Sequence, residues 1–208
     1  MSMQLQDLFW APHYGLFRQL VDDGREPDGQ AVVAALHSLP RAEFWDVSVV
    51  RSLWSIRSTY LHRQYHGGGN AWGEIFNATE ELLDDPRCMT LDPLLTQLDE
   101  FWDSRRDGFL GMLRRPELGY SEPALQRFLG FLDVLPSLHG QVSKKWITGL
   151  GDSPTRCWSS WRRGSFEDRM QLQRQLLPRL ARILGEPYPG HVAELLSFSQ
   201  LTEAQMPT

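Results

Sequence analysis

Apolar residues recur at every third or fourth position along almost the whole chain, the spacing that gathers them on one face of an α-helix. No Asn-Gly or Asp-Gly turn lies between alternating apolar and polar runs, so no β-hairpin is predicted. The pattern therefore predicts an all-α protein, a helical bundle of six to eight helices.

Residues that favour helix ends divide this pattern into segments. Capping residues, in some cases followed by proline or an acidic residue, predict helices that start at Asp28, Asp46, Asn70, Asp92, Ser121 and Ser165. We expect the helix from Asp92 to continue through Gly108 to Leu113. We also expect the helical pattern to resume after Pro136 and to include Val142.

A single hydrophobic core is the simplest organisation for 208 residues of which 41% are hydrophobic. Residues 149–164 form a Gly/Ser/Pro/Trp stretch without periodicity, which is typical of a long loop. We therefore expect a bundle core over residues 1–150. A loop and C-terminal helices over 151–208 would form an extension packed on that core.

Charge is distributed unevenly along the chain, whose net charge is −5. Ten acidic and three basic residues lie between Glu74 and Asp107, whereas nine basic and three acidic residues lie between Lys144 and Arg182. Such asymmetry predicts either two docking surfaces for a partner or two solvated faces. The acidic overall balance argues against binding to nucleic acid.

The two cysteines, Cys88 and Cys157, are far apart and outside any CxxC pattern, which argues against a disulfide framework or a cysteine zinc site. The first residues lack a basic segment followed by an apolar run, so no secretory signal is expected. No apolar stretch reaches the roughly 18 residues of a membrane span. These features together predict a cytoplasmic protein.

His62 and His66 stand four residues apart, directly before three glycines, and so share one side of a helix. Imidazoles at this spacing can chelate a divalent metal, and His139, Asp99 and Asp103 are candidates for the remaining ligands. Helical projection from Leu53 puts both histidines on the polar side, which we expect to face solvent. An exposed polar face, or cations that favour the helix C-terminus, are the alternatives.

Aromatic and basic residues interleave in the loop after the bundle. This composition suits stacking and phosphate contacts, or an Arg-on-Trp packing cluster. With one tryptophan from the fourth predicted helix, the candidate binding residues are Trp72, Trp158, Trp161, Arg162 and Arg163. No motif of known nucleophilic or nucleotide chemistry occurs, so no catalytic residue is assigned.

The run Ser55-Ile-Arg-Ser-Thr-Tyr-Leu-His62 resembles the second helix of DinB-like four-helix proteins, and Leu138-His139-Gly140-Gln141-Val142 resembles a later helix of that family. The resemblance implies a bundle over roughly residues 1–155 with His62 as ligand to zinc, nickel or another divalent metal. It also implies transferase or hydrolase activity. The family's other two ligand positions fall on Val134 and Leu138, which cannot bind a metal.

A second set of short motifs, which includes Tyr65-His66-Gly67 and Ala71-Trp72-Gly73-Glu74, resembles the cytoplasmic domain of DotU-type proteins of type VI secretion baseplates. This resemblance covers residues 60–115 and implies a protein-interaction module. The sequence thus supports two expectations: a DinB-like protein with a metal or small-molecule site, or a non-enzymatic module of a larger assembly. A homodimer is compatible with both.

Overall fold

The computed structural model describes residues 29–64, 70–84, 92–103, 108–113, 121–153, 165–186 and 189–197, with the backbone alone at 59–64, 70–72 and 166. In chain order its elements are α1 (Gly29–His37), β1 (Phe44–Asp46), α2 (Val47–Gln64), α3 (Asn70–Leu83), α4 (Pro93–Trp102), α5 (Phe109–Leu113), α6 (Glu122–Val134), β2 (Gln141–Ser143), a π-helical turn (Ile147–Gly151), α7 (Phe166–Leu184) and α8 (191–197). The all-α class is confirmed.

Side-chain caps explain where several of these helices begin. The Asp92 carboxylate accepts the Leu94 N–H, and the Ser121 hydroxyl accepts the Ala124 N–H, each beside a proline in the first helical turn. Ser165 and Asp168 satisfy each other's backbone N–H groups in a capping box at the start of α7. These start signals are therefore read correctly from sequence.

The expected continuous helix from Asp92 to Leu113 is wrong, because α4 ends at Trp102 and a separate helix, α5, begins at Phe109. At the break Gly108 packs so closely on the backbone of Glu100 and Phe101 that a Cβ atom would overlap it. The Gly108 N–H donates to the Asp103 carbonyl, so the chain folds back on the end of α4.

Val142 lies in a strand and not in a helix, which corrects the second expectation. Strand β2 pairs antiparallel with β1, with Trp45 opposite Val142. The Val47 N–H, the first of α2, donates to the Gly140 carbonyl, so this small sheet positions the start of α2.

Helix α2 lies at the centre of the described core, where α3, the π-helical turn and α7 all contact it. Leu53, Trp54 and Ile56 are fully buried, but so are Ser52 and Ser55, and every side chain from 52 to 58 is inaccessible. Ser55 lies on the polar side of α2, opposite Leu53, so the expectation that this side faces solvent is wrong at Ser55. Other helices cover that side too, so its polar groups must find partners inside the protein.

Among the described helices, none is both long enough and apolar enough to cross a membrane.

Candidate functional site

The outward face of α3 is acidic. Ile75, Ala78 and Leu82 point into the core, while the residues at the alternate helical positions are exposed, namely Glu74, Asn77, Glu81 and the flanking Asp84. No lysine, arginine or histidine occurs between Asn70 and Asp84. The solvent side of this helix therefore carries negative charge without an intrahelical cation.

Three carboxylates lie at the C-terminal end of α3, where the helix dipole disfavours them. Glu80 and Glu81 lie in the last turn and Asp84 follows it, where the free carbonyl groups already carry partial negative charge. An anion placed there destabilises a helix by about 0.3–1 kcal/mol. Glu80, Glu81 and Asp84 are called the acidic end of α3 below.

The end of α1 lies beside this surface. His37, in the last turn of α1, approaches Glu81 to 3.4 Å, and both side chains are exposed. The C-terminal ends of α1 and α3, which pack against each other, therefore lie close together beside these acidic side chains. Arg41 lies in the loop after α1, four residues after His37, and is exposed.

A buried lysine supports the acidic end from inside. Lys144 follows β2 and is 1% exposed, and its ammonium donates to the Leu82 carbonyl of α3 over 3.0 Å. The Trp45 ring lies 5.8 Å from the same ammonium. Lys144 therefore places a positive charge on one of the last carbonyl groups of α3, where a cation is favoured.

A buried arginine contacts the same helix from the core side, at Thr79 and Glu80. Arg57 of α2 is 1% exposed and forms a two-point ion pair with Asp152, which follows the π-helical turn: Nε to Oδ1 is 2.8 Å and Nη2 to Oδ2 is 2.5 Å. Its Nη1 donates to the Thr79 hydroxyl over 3.0 Å, and the Phe76 ring centroid lies 4.7 Å from its guanidinium carbon. Burial lowers the pKa of Arg57, but the hydrogen bond and charge of Asp152, with the charge of Glu80, leave that pKa above its ordinary value.

Glu80 connects this buried pair to the surface. Its Oε1 lies 2.5 Å from Arg57 Nη2, although its side chain is 46% exposed. That oxygen is buried, and its charge and hydrogen bond add, after those of Asp152, to the raised pKa of Arg57. Asp152 already balances the charge of Arg57, and Glu80 therefore adds a second, surplus carboxylate.

Ser55 makes a separate buried contact. Its hydroxyl lies 3.2 Å from His191 Nε2, and the His191 ring meets the Trp54 ring edge-on at 4.9 Å. Both Ser55 and His191 are fully buried. A nucleophile and a base at this separation could in principle perform acyl transfer. Here the contact joins α8 to α2, and neither side chain is exposed to solvent.

Two of the predicted metal ligands, His139 and position 62, lie far apart. His139 is exposed and adjoins Gly140, which binds the first residue of α2, whereas position 62 lies fifteen residues further along α2. At 1.5 Å per residue the two are about 22 Å apart along the helix, too far to share one ion. Within the described residues, no group of three or more His, Cys, Asp and Glu could hold a metal.

The remaining predicted residues divide into two groups. Asp99 is exposed on α4 and Asp103 caps the C-terminus of that helix. The side chains of His62 and Trp72 lie outside the described part of the structure, as do the residues His66, Trp158, Trp161, Arg162 and Arg163.

Arg57, Asp152 and Lys144 were not predicted as site residues. Arg57 stands among the serines of α2, and small side chains let other helices pack closely around an arginine. The serines around Arg57 were the sequence signal from which its burial could have been predicted. Asp152 and Lys144 carry no comparable signal, because their partners come from distant parts of the sequence.

Protein-family models, curated proteins and solved structures were each compared with the chain, and none gave a significant match. The fold and the site together describe an all-α protein in which an acidic helix end lies next to a buried arginine.

Proposed function

We propose that the protein is an interaction module that binds a basic segment of a partner protein at the acidic end of α3. The observation that supports this proposal is the placement of Glu80, Glu81 and Asp84 against the helix dipole, with no cation on the same helix. Local rules of stability are most often broken where function requires it. The proposal follows the second of the two expectations from sequence.

Two residues of the acidic end, Glu81 and Asp84, contribute little to holding the fold together. Asp84 makes no side-chain hydrogen bond or ion pair to the described residues, and Glu81 meets only the exposed His37 there. The two buried cations, Arg57 and Lys144, already satisfy groups of the core. Lysine or arginine side chains of a partner would lower the electrostatic cost of the carboxylates and speed encounter.

The basic stretch of the sequence suits this role less well. Arg179 forms a two-point ion pair with Asp133, and Arg182 donates to the Leu132 and Leu135 carbonyls. These arginines join α7 to the end of α6 and are engaged within the protein. We therefore place the docking surface on α3.

Binding of fluorescein-labelled octalysine, followed by fluorescence anisotropy, tests the proposal. The double variant Glu81→Lys/Asp84→Lys should weaken binding by about tenfold, which corresponds to about 1.4 kcal/mol. The control Glu167→Lys/Glu186→Lys makes the same change in net charge at exposed positions in and just after α7. An equal loss in both variants would mean that only net charge matters and would contradict the proposal.

The metal-enzyme hypothesis stays a prediction that rests on His62. Metal content measured on tag-free wild-type protein beside His62→Ala tests it. Near-stoichiometric metal that disappears in the variant would support the DinB-like function, and absence of metal from both would leave the interaction module as the better hypothesis.

A further inference from the structure

We propose that His191 is a pH-dependent latch, which holds α8 on α2 while its imidazole is neutral and releases α8 when the imidazole takes up a proton. Three observations carry this inference: the burial of the imidazole, the charged groups on the elements around it, and the glycine that directly precedes it. The inference concerns the contact between α8 and α2 and does not depend on the proposed docking surface of α3.

The buried imidazole is a point of contact between α8 and α2. The His191 side chain is fully buried, its Nε2 lies 3.2 Å from the Ser55 hydroxyl, and its ring meets the Trp54 ring edge-on at 4.9 Å. Both of these α2 side chains are neutral. A proton on this ring would create a charge that has given up its hydration, and even a paired buried charge often regains less than it loses. Burial therefore favours the neutral ring.

The charged residues that α2 carries within four residues of Ser55 are both arginines. Arg51 lies one turn earlier on the same side of the helix, and its Nε donates to the carbonyl of the last residue of α7 over 2.8 Å. Arg57 lies on the opposite side, where it pairs with Asp152. A positive charge on His191 is therefore opposed by Arg51 on the α2 side.

Two carboxylates belong to the other elements at this contact. Glu194 lies one turn after His191 on α8 itself and is half-buried, and Glu186, just after α7, is exposed. At a spacing of three residues Glu194 favours the imidazolium, but it belongs to the same segment as His191 and can act in both the docked and the released positions. Release therefore restores the hydration of the imidazolium and takes it away from Arg51, and it need not cost the attraction of Glu194.

A glycine joint directly precedes the latch. Gly190 has a φ of 93°, in the left-handed region that favours glycine, and a Cβ atom at this position would meet nothing within 4 Å. Movements of whole elements are absorbed by a few residues at the ends of those elements. Gly190 can therefore let α8 turn away from α2, while α7 keeps its contact with Arg51.

The direction of the pH effect follows from these contacts. An exposed imidazole takes up a proton near about pH 6.5, whereas the docked ring resists protonation. The released state therefore binds more protons than the docked state, and by linkage a fall in pH favours release. Docking is at full strength above about pH 6.5 and weakens below it, by up to about tenfold per pH unit for one proton.

Hydrogen–deuterium exchange of the wild-type protein at about pH 7.5 and about pH 5.5 tests the proposal, once the intrinsic effect of pH on exchange has been removed. The amides of 194–197 in α8 should lose protection by about tenfold at the lower pH, as expected for one proton taken up near pH 6.5. The amides of 176–184 in α7 should keep their protection.

A matched pair of variants identifies the histidine responsible. His191→Gln keeps a hydrogen-bonding side chain without a titratable ring, so its α8 protection should be the same at both pH values. His37→Gln makes the same change at the exposed end of α1 and should retain the tenfold loss.

Three results would overturn the latch. The first is equal protection of α8 at the two pH values in wild type. The second is the same loss of protection in His191→Gln, because the proton would then be taken up elsewhere. The third is a parallel loss in α7, which would mean acid unfolding of the fold and not release of α8. The wild-type comparison of α8 with α7 decides the question even where His191→Gln fails to fold.

Discussion

Helices α3 and α7 place their charged residues in opposite ways. Helix α7 begins with a capping box and with Glu167 and Asp168 in its first turn, and it carries Arg182 in its last turn, so these three charges favour the helix dipole. Helix α3 has no acidic residue in its first turn and ends with Glu80, Glu81 and Asp84. The contrast shows that the charges at the ends of α7 favour its dipole, whereas the carboxylates at the end of α3 oppose the dipole of that helix.

The support beneath the two helices differs as well. The charges of α7 are used within the fold, where Arg179 and Arg182 bind the end of α6. The end of α3 depends instead on the buried cations Arg57 and Lys144, which come from α2 and from the end of β2. The end of α3 thus contacts buried cations on its inner side, while the Glu81 and Asp84 side chains are exposed to solvent.

The largest expected effect comes from removal of the support under α3. Asp152→Ala leaves the buried Arg57 with only Glu80 as its charged partner among the described contacts and should reduce the free energy of unfolding by about 3–5 kcal/mol. Urea denaturation measures this change. Asp84→Ala, a carboxylate at the exposed end, serves as the control and should change stability by about 0.5 kcal/mol or less. Equal values would show that the buried pair does not support the helix.

The next effect tests the well-capped end of α7. Ser165→Ala removes the hydroxyl that accepts the Asp168 N–H and should lower the free energy of unfolding by about 1 kcal/mol. Ser165→Thr keeps a capping hydroxyl and should recover most of the loss. A Thr variant as unstable as the Ala variant would mean that packing, and not the cap, determines the effect.

Charge reversal should act with opposite sign on the two helices. Asp84→Lys replaces an anion by a cation at the C-terminal end of α3 and should raise stability by about 0.3–1 kcal/mol while it weakens octalysine binding. Glu167→Lys makes the same change in the first turn of α7 and should lower stability by a similar amount. Thermal denaturation of both variants decides the matter, and shifts of the same sign would remove the contrast between the helices.

The smallest effect is a pH dependence from two carboxylates that interact with α7. Hydrogen bonds from the Ser165 side chain and backbone lower the pKa of Asp168 below its ordinary value of 3.8, and the hydrogen bond from Arg179 lowers the pKa of Asp133. Because the folded-state pKa values are depressed, this stabilisation is present above pH 3.8 and is lost as the pH falls through the lowered values. Stability measured between pH 5 and pH 2 should fall less steeply in Asp168→Asn/Asp133→Asn than in wild type.

Much of the helical architecture could be predicted because its signals are local. Asp92, Ser121 and Ser165 cap helices through their own side chains, and each lies within three residues of the group it binds. The failure at Val142 has the opposite cause, since its strand exists only because Trp45, almost a hundred residues away, pairs with it. The candidate site was missed for the same reason: Arg57 and Asp152 are 95 residues apart.

The sequence by itself determined the all-α class, the capped helix starts and the negative charge of α3, because these follow from neighbouring residues. Only the tertiary structure decided which polar residues are buried. Ser55 lies on a side of α2 that the apolar pattern assigns to solvent, and it is buried because α8 places His191 on it. Burial depends on what packs against a helix, so the partners of Arg57 and the exposure of Glu80 could be known only once the chain was folded.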